Sequence, residues 1–307
     1  MKTLFSKSNK RDISGIALFI AFLLFLASCE KEVKINLPAG EQHVVVEGAI
    51  ETGLPPYVIL TNTVSFFSTI DINTLQNSFL HGAAITVFDG SKTIKLKEYS
   101  IDTGAKGNKF YFYSIDTAVK PFMVGEVEKY YKLHIEYNGQ IYEATTKIPN
   151  PTNIDSVRSV LPDPPFNTTK HPDARQIRVY FQEPDTPGNY IRYFTKRNSE
   201  LYYAPSNSVY NDEIVNGIYF QTTLELGEPA GVPRDSTSGV AYPGDTVTLK
   251  WCAIDKAAFN FWNTYEYSLG SIGNPFSTPI QVTSNLSNSA LGIWVGYGSV
   301  YKTVVIH

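Results

Sequence analysis

Tyr131-Lys132-Leu133-His134-Ile135-Glu136-Tyr137-Asn138-Gly139-Gln140-Ile141-Tyr142-Glu143-Ala144-Thr145-Thr146 alternates apolar and polar residues on both sides of Asn138-Gly139. Successive strand residues point to opposite faces of a sheet, so Leu133, Ile135 and Tyr137 share one face. Asn-Gly accepts the positive φ values of a two-residue hairpin turn, and the stretch therefore predicts an antiparallel hairpin. Outward from it, shorter runs of the same kind predict strands at 43–47, 56–64, 84–88 and 92–96, the last two joined by Asp89-Gly90. Downstream, strands are expected at 176–181, 190–195, 218–224, 246–251, 291–295 and 300–306. Residues 70–81 fit a loop or a short helix. One longer helix is predicted over 255–269: Asp255 suits the N-cap, Ala258, Trp262, Tyr265 and Leu269 form an apolar stripe, and Gly270 suits the stop.

The breaker cluster Ile148-Pro149-Asn150-Pro151-Thr152-Asn153 marks a domain boundary. The expected fold is mainly β in two β-rich domains. The first, 43–149, is read as an immunoglobulin- or transthyretin-like sandwich, and the second, 150–307, as a β domain with one packed helix. A length of 307 residues fits two domains. Hydrophobic residues make up 43% and charged residues 18%, which excludes a disordered chain as the main state. The 13% aromatic content, 20 Tyr and 18 Phe foremost, favours strands.

The N-terminus carries separate information. Residues 1–12 are basic, 13–26 are apolar apart from Ser14 and Gly15, and 14 such residues are too few to span a membrane, which takes about 20. Residues 1–28 thus read as a signal peptide, followed by a tether over 29–42. Leu26-Ala27-Ser28-Cys29 resembles a bacterial lipoprotein box, which makes Cys29 the expected acceptor of diacylglycerol and acyl chains such as palmitate. The partner so implied is a membrane, reached through the N-terminal lipid. With Lys2, Lys7, Lys10, Arg11 and Asp12 set aside, the other 22 basic and 28 acidic residues give −6, which argues against nucleic acid as a partner. Glu30-Lys31-Glu32 resembles a surface-export signal and reads equally as a solvated tether.

Several segments taken in order are similar to the DUF4249 lipoproteins of Bacteroidota. They are Cys29-Glu30-Lys31-Glu32, residues 45–53 from Val45 to Gly53, Pro55-Pro56-Tyr57-Val58-Ile59-Leu60, Ile254-Asp255-Lys256, Phe261-Trp262, Gly273-Asn274-Pro275-Phe276, Ser284-Asn285-Leu286 and Ala290-Leu291-Gly292. The resemblance implies a lipid-anchored protein of the cell outer membrane that assists a TonB-dependent receptor in nutrient uptake. It implies no catalytic residue. A structural or adhesive surface lipoprotein is the alternative, and a glycan- or peptide-acting enzyme ranks below both.

The chemistry-bearing residues are sparse. His43, His81, His134, His171 and His307 are scattered, no HExxH, Cys-x-x-Cys, G-x-S-x-G or P-loop occurs, and no metal or cofactor is expected. Asn211-Asp212-Glu213 with Asn216-Gly217 lacks EF-hand spacing and reads as a polar loop. Cys252, inside a strand pattern, reads as a small buried hydrophobe. Tyr202, Tyr203 and Trp294 are the candidates for ligand or partner contact, since aromatic faces stack on sugars and anchor interfaces. Asp116-Thr117-Ala118, Asp155-Ser156-Val157, Asp235-Ser236-Thr237 and Asp245-Thr246-Val247 resemble O-glycosylation acceptors, of which Ser156 and Ser236 are favoured as lying in loops.

Overall fold

The computed structural model describes residues 41–64, 71–104, 107–120, 122–213, 216–229, 231–272, 274, 276–278 and 280–307. Cys29, with the expected signal peptide and all but the last two residues of the tether, lies outside them. The fold is mainly β with one packed helix. In chain order the first half holds β1 (Val44–Glu51), β2 (Tyr57–Asn62), the short α1 (Ile72–Ser78), β3 (Ala84–Phe88), β4 (Thr93–Asp102), β5 (Lys109–Ile115), β6 (Tyr130–Tyr137) and β7 (Gln140–Lys147). The second half holds β8 (Ile154–Val160), β9 (Gln176–Gln182), β10 (Tyr190–Arg197), β11 (Val209–Asn211), β12 (Tyr219–Leu224), β13 (Thr246–Ile254), α2 (Lys256–Ser271) and β14 (Leu291–Val305).

Eleven strands form one sheet in the order β11-β10-β13-β14-β1-β2-β5-β4-β3-β6-β7, and β12-β9-β8 form a second. β14 is the keystone: it pairs in parallel with β1 and antiparallel with β13. Strand β4 turns a corner, because Thr93–Lys95 pair with β3 while Leu96–Asp102 pair with β5. The sheet therefore folds over itself. Val46, Ile50, Val58 and Leu60 from one layer meet Val87, Leu133, Ile135 and Ala144 from the other in a buried core. At the opposite end the small sheet lies on the large one, with Val179, Phe181 and Leu224 against Tyr193, Leu249 and Trp251. A third core sits beneath α2 on the remaining face, where Ala49, Cys252, Ile254, Ile293 and Val295 meet Ala258, Phe261 and Trp262.

The expected hairpin is β6–β7, with Asn138 at φ 49° and Gly139 at φ 75° in its turn. Residues 148–153, read as a domain boundary, join β7 to β8, and β14 runs from the first core (Trp294) to the flank of the second (Val300, Val304). The two predicted closing strands are one. Glycines 296 and 298 let the 147–149 backbone pass directly over β14: a Cβ at Gly296 would lie 2.5 Å from the Lys147 carbonyl oxygen, and one at Gly298 2.0 Å from that of Pro149. Strands β5, β8 and β11 escaped the sequence reading. In α2 the buried residues are Ala258, Phe261 and Trp262, whereas Tyr265 and Leu269 of the expected stripe are exposed, and the helix runs one residue beyond Gly270. Burial in α2 is thus confined to its first two turns.

Candidate binding site

Register along β1, β14, β13 and β10 brings distant polar residues to one face of the large sheet. Glu51 lies opposite Tyr297, Lys250 opposite Tyr301, and Arg192 and Phe194 opposite Cys252 and Lys250. All share the face that α2 covers further along. Asp255 fixes the start of α2 by accepting from Ala258 N at 2.8 Å, as its N-cap position predicts. Its second oxygen accepts from Thr146 Oγ1 at 2.7 Å and Lys147 N at 3.2 Å, which ties the helix to β7.

Beside the helix the floor is charged and the rim aromatic. Lys250 Nζ donates to Glu51 Oε2 at 2.5 Å, and Tyr301 Oη donates to Glu51 Oε1 at 2.5 Å. Glu51 is 8% exposed. A desolvated pair of this kind persists only with full compensation. Here rings supply the remainder: the Lys250 ammonium lies 5.1 Å from the Phe194 ring centre, 5.5 Å from that of Tyr297 and 5.9 Å from that of Tyr202. Tyr202 packs edge-on against Tyr301 at 5.9 Å. Tyr202 and Tyr301 remain 37% and 46% exposed, so a hydroxyl-tipped aromatic rim surrounds a buried ion pair. Burial raises the Tyr202 hydroxyl's pKa, with the Glu51 charge adding to it, and burial and Glu51 raise that of Tyr301 further. Both rings thus stay neutral at physiological pH.

Arg192 continues the array inward. Its guanidinium stacks 3.3 Å from the Trp262 ring centre and 4.6 Å from that of Phe194. It donates to Tyr297 Oη at 2.9 Å and to Ser208 Oγ at 3.2 Å, and Ser208 in turn bonds Glu266 on α2. Burial pushes the Tyr297 hydroxyl up to about 12. Cys252, fully buried beside Ser299, is pushed up to about 12 by burial, so it is held as an unreactive thiol. Two open depressions lie elsewhere, one of about 520 Å³ between β7 and residues 284–287 and one of about 470 Å³ against β4. Neither combines buried charges with an aromatic rim.

Of the residues singled out from sequence, Tyr202 joins this array. Tyr203 does not; it is half-buried and its backbone bridges Thr195. Trp294 is fully buried core, a correction to its reading as a contact residue: Gly48 stands opposite it and vacates the space for the indole, whose Nε1 donates to the Tyr131 carbonyl at 2.9 Å. Ser156 lies in strand β8 at a register shift and not in a loop, because pairing with β9 continues up to Ile154. Ser236 is exposed in a turn, with its Oγ 3.1 Å from His171 Nε2. Sequence reasoning missed Glu51, Lys250, Tyr301 and Arg192. The only local trace of them was charge interrupting apolar strands.

A family model described as a domain of unknown function, DUF4249, matches residues 30–303. The chain belongs to the DUF4249 family. The match takes in the large sheet except the last two residues of β14, and so the whole array of this DUF4249 chain. No curated protein matches it. Among the described residues no group of three or more His, Cys, Asp or Glu is placed to hold a metal, and no helix is long and apolar enough to cross a membrane. Away from the array, Glu183 is 2% exposed, and burial, then the Asp212 charge, push its carboxyl up to about 7.

Proposed function

We propose that this DUF4249 chain is a lipid-anchored outer-membrane protein that serves as a binding component beside a TonB-dependent receptor in nutrient uptake. The tyrosine-rimmed ion pair is the surface that holds its partner. The observation that carries this reading is the pairing of two exposed tyrosines with a buried, mutually neutralised Lys250–Glu51 pair. Tyrosine offers large contact area with one hydroxyl and little entropy to lose, as interface anchors do. The charges beneath cancel each other, the tyrosines are neutral and the nearby thiol is protonated, so the array suits recognition and lacks an activated nucleophile. The lipoprotein-like box ending at Cys29 supports the membrane half of the proposal.

The test is affinity purification from detergent-solubilised envelopes of the native host, comparing the wild-type chain with Tyr202→Ala/Tyr301→Ala. An outer-membrane receptor is expected with the wild type. Its yield should fall at least tenfold with the variant, since anchor residues are worth about 2 kcal/mol or more. A wild-type sample that returns no receptor, or a variant that returns as much, overturns the reading.

A further inference from the structure

At its corner β4 passes from one neighbour to the other. Pairing with β5 begins only at Leu96, opposite Ile115, so Thr93, Ile94 and Lys95 have no strand beside them on that side. The chain beyond Ile115 runs past them instead, and the cavity of about 470 Å³ lies between. Because the strand turns here, side chains of both its faces line the cavity, Ile94 and Leu96 together with Lys95 and Lys97. Ile115, Val119 and Phe122 form the opposite wall. Leu96 and Ile115 are buried floor, whereas Val119 and Phe122 are 60% and 42% exposed. Two large apolar side chains thus face a cleft and not the core.

Polar ties hold the outer wall in place. Val119 N donates to the Asp116 carbonyl at 3.0 Å, and Ala118 N donates to the Asp116 carboxylate at 3.0 Å. The same carboxylate faces Lys97 Nζ at 3.5 Å, and Lys92 Nζ donates to the Phe122 carbonyl at 3.1 Å. These ties also sort the lysines. Lys92 and Lys97 are engaged, and the Lys120 ammonium lies 5.9 Å from the centre of the Phe122 ring. Lys95 lines the cavity with no carboxylate within 4 Å among the described residues. Four lysines against Asp116 and the neighbouring turn residue Asp89 leave the rim positive.

We propose that this cleft binds a fatty-acid-type carboxylate, with the alkyl chain between the two walls and the head group on Lys95. Four of the five apolar lining residues are aliphatic, which suits a flexible alkyl chain better than a flat aromatic body. The volume falls within the range of about 300–1,000 Å³ usual for small-molecule sites, and it admits one chain and not the paired chains of a phospholipid. One unpaired ammonium calls for one negative charge, and apolar walls strengthen the attraction by excluding water. The site is separate from the array at Glu51 and does not depend on its partner.

Photolabelling tests this, using dodecanoate with a terminal diazirine and the full chain in a sterol-based detergent too wide for the cleft. Labelling should saturate, map to peptides holding residues 93–97 or 115–122, and be displaced by plain dodecanoate. Decanoate, two methylenes shorter, should displace about 15-fold more weakly. Dodecylamine should not compete at the same concentrations, because its head group repels Lys95. Lys95→Glu should cut labelling at least about tenfold, and Lys95→Arg should keep it. Val119→Asp, on the exposed wall, should cut it likewise and decides the matter if Lys95→Glu does not fold. Labelling that fails to saturate or maps elsewhere overturns the proposal. So does dodecylamine competing as well as dodecanoate, or a folded Lys95→Glu chain that labels like the wild type.

Discussion

Lys250 shows how much of this molecule rests on single residues. Its ammonium meets one carboxylate and otherwise only rings. Lys250→Met should therefore leave Glu51 buried and unpaired at a cost of about 3–5 kcal/mol, while Lys250→Met/Glu51→Leu should recover most of it, since apolar replacement of a buried pair is often neutral. Urea denaturation of the three proteins measures both values, and a single-mutant loss below about 1 kcal/mol would mean that the pair is effectively solvated. Nothing in the local sequence announces this pair. Its members stand 199 residues apart and meet only through the register of β1 on β14 and β14 on β13. Tyr202 could be singled out because adjacent strand residues face opposite ways, so one of Tyr202 and Tyr203 must point outward. Trp294 carried the same aromatic signal and is core, because the glycine that makes room for it lies on another strand.

Among the elements, α2 offers the sharpest contrast. Trp262 is 9% exposed and carries Arg192 on its ring, while Leu269, two turns on, is 50% exposed. Trp262→Ala should cost about 3–5 kcal/mol, and Leu269→Ala no more than about 0.5 kcal/mol. Equal losses in thermal or urea unfolding would show that the far end of the helix is covered by something the fold itself does not supply. The N-terminus of this helix was legible because a cap is a local bargain between one carboxylate and a few amides. So was the β6–β7 hairpin, whose turn demands Asn-Gly. The buried face was half legible: a 3.6-residue period reports which residues share a stripe, but not how far the underlying sheet extends. Strands β5 and β8 were missed for a related reason. Lys109–Ile115 is too uniformly aromatic to alternate, and Ile154–Val160 follows a proline cluster that reads as loop.

At the scale of the whole molecule, one large sheet joins residues that the sequence divides at 148–153, and the cores join them too: Ala290 and Trp294 complete the first core, and Ala49 packs in the core beneath α2. In the proposed function this body stands on a membrane through the lipid on Cys29. Cys29→Ala should move the protein from the membrane fraction to the soluble one, or leave it as an uncleaved precursor. One acyl chain alone holds weakly and several hold firmly, so partial release is not expected. A variant that is processed and still membrane-bound would remove the anchor from the account.

The parallel seam between β1 and β14 also governs how the protein is made. Contacts across it join residues 245 positions apart, such as Thr52 and Tyr297. Pairing at such separation is slow, and a ribosome delivers β1 long before β14 exists. Until then Val45–Glu51 has β2 on one side and an open hydrogen-bonding edge on the other, with a glutamate destined for burial at its tip. Exposed edges of this kind recruit other strands. A chain that lacks β14 thus keeps an open, aggregation-prone edge along β1.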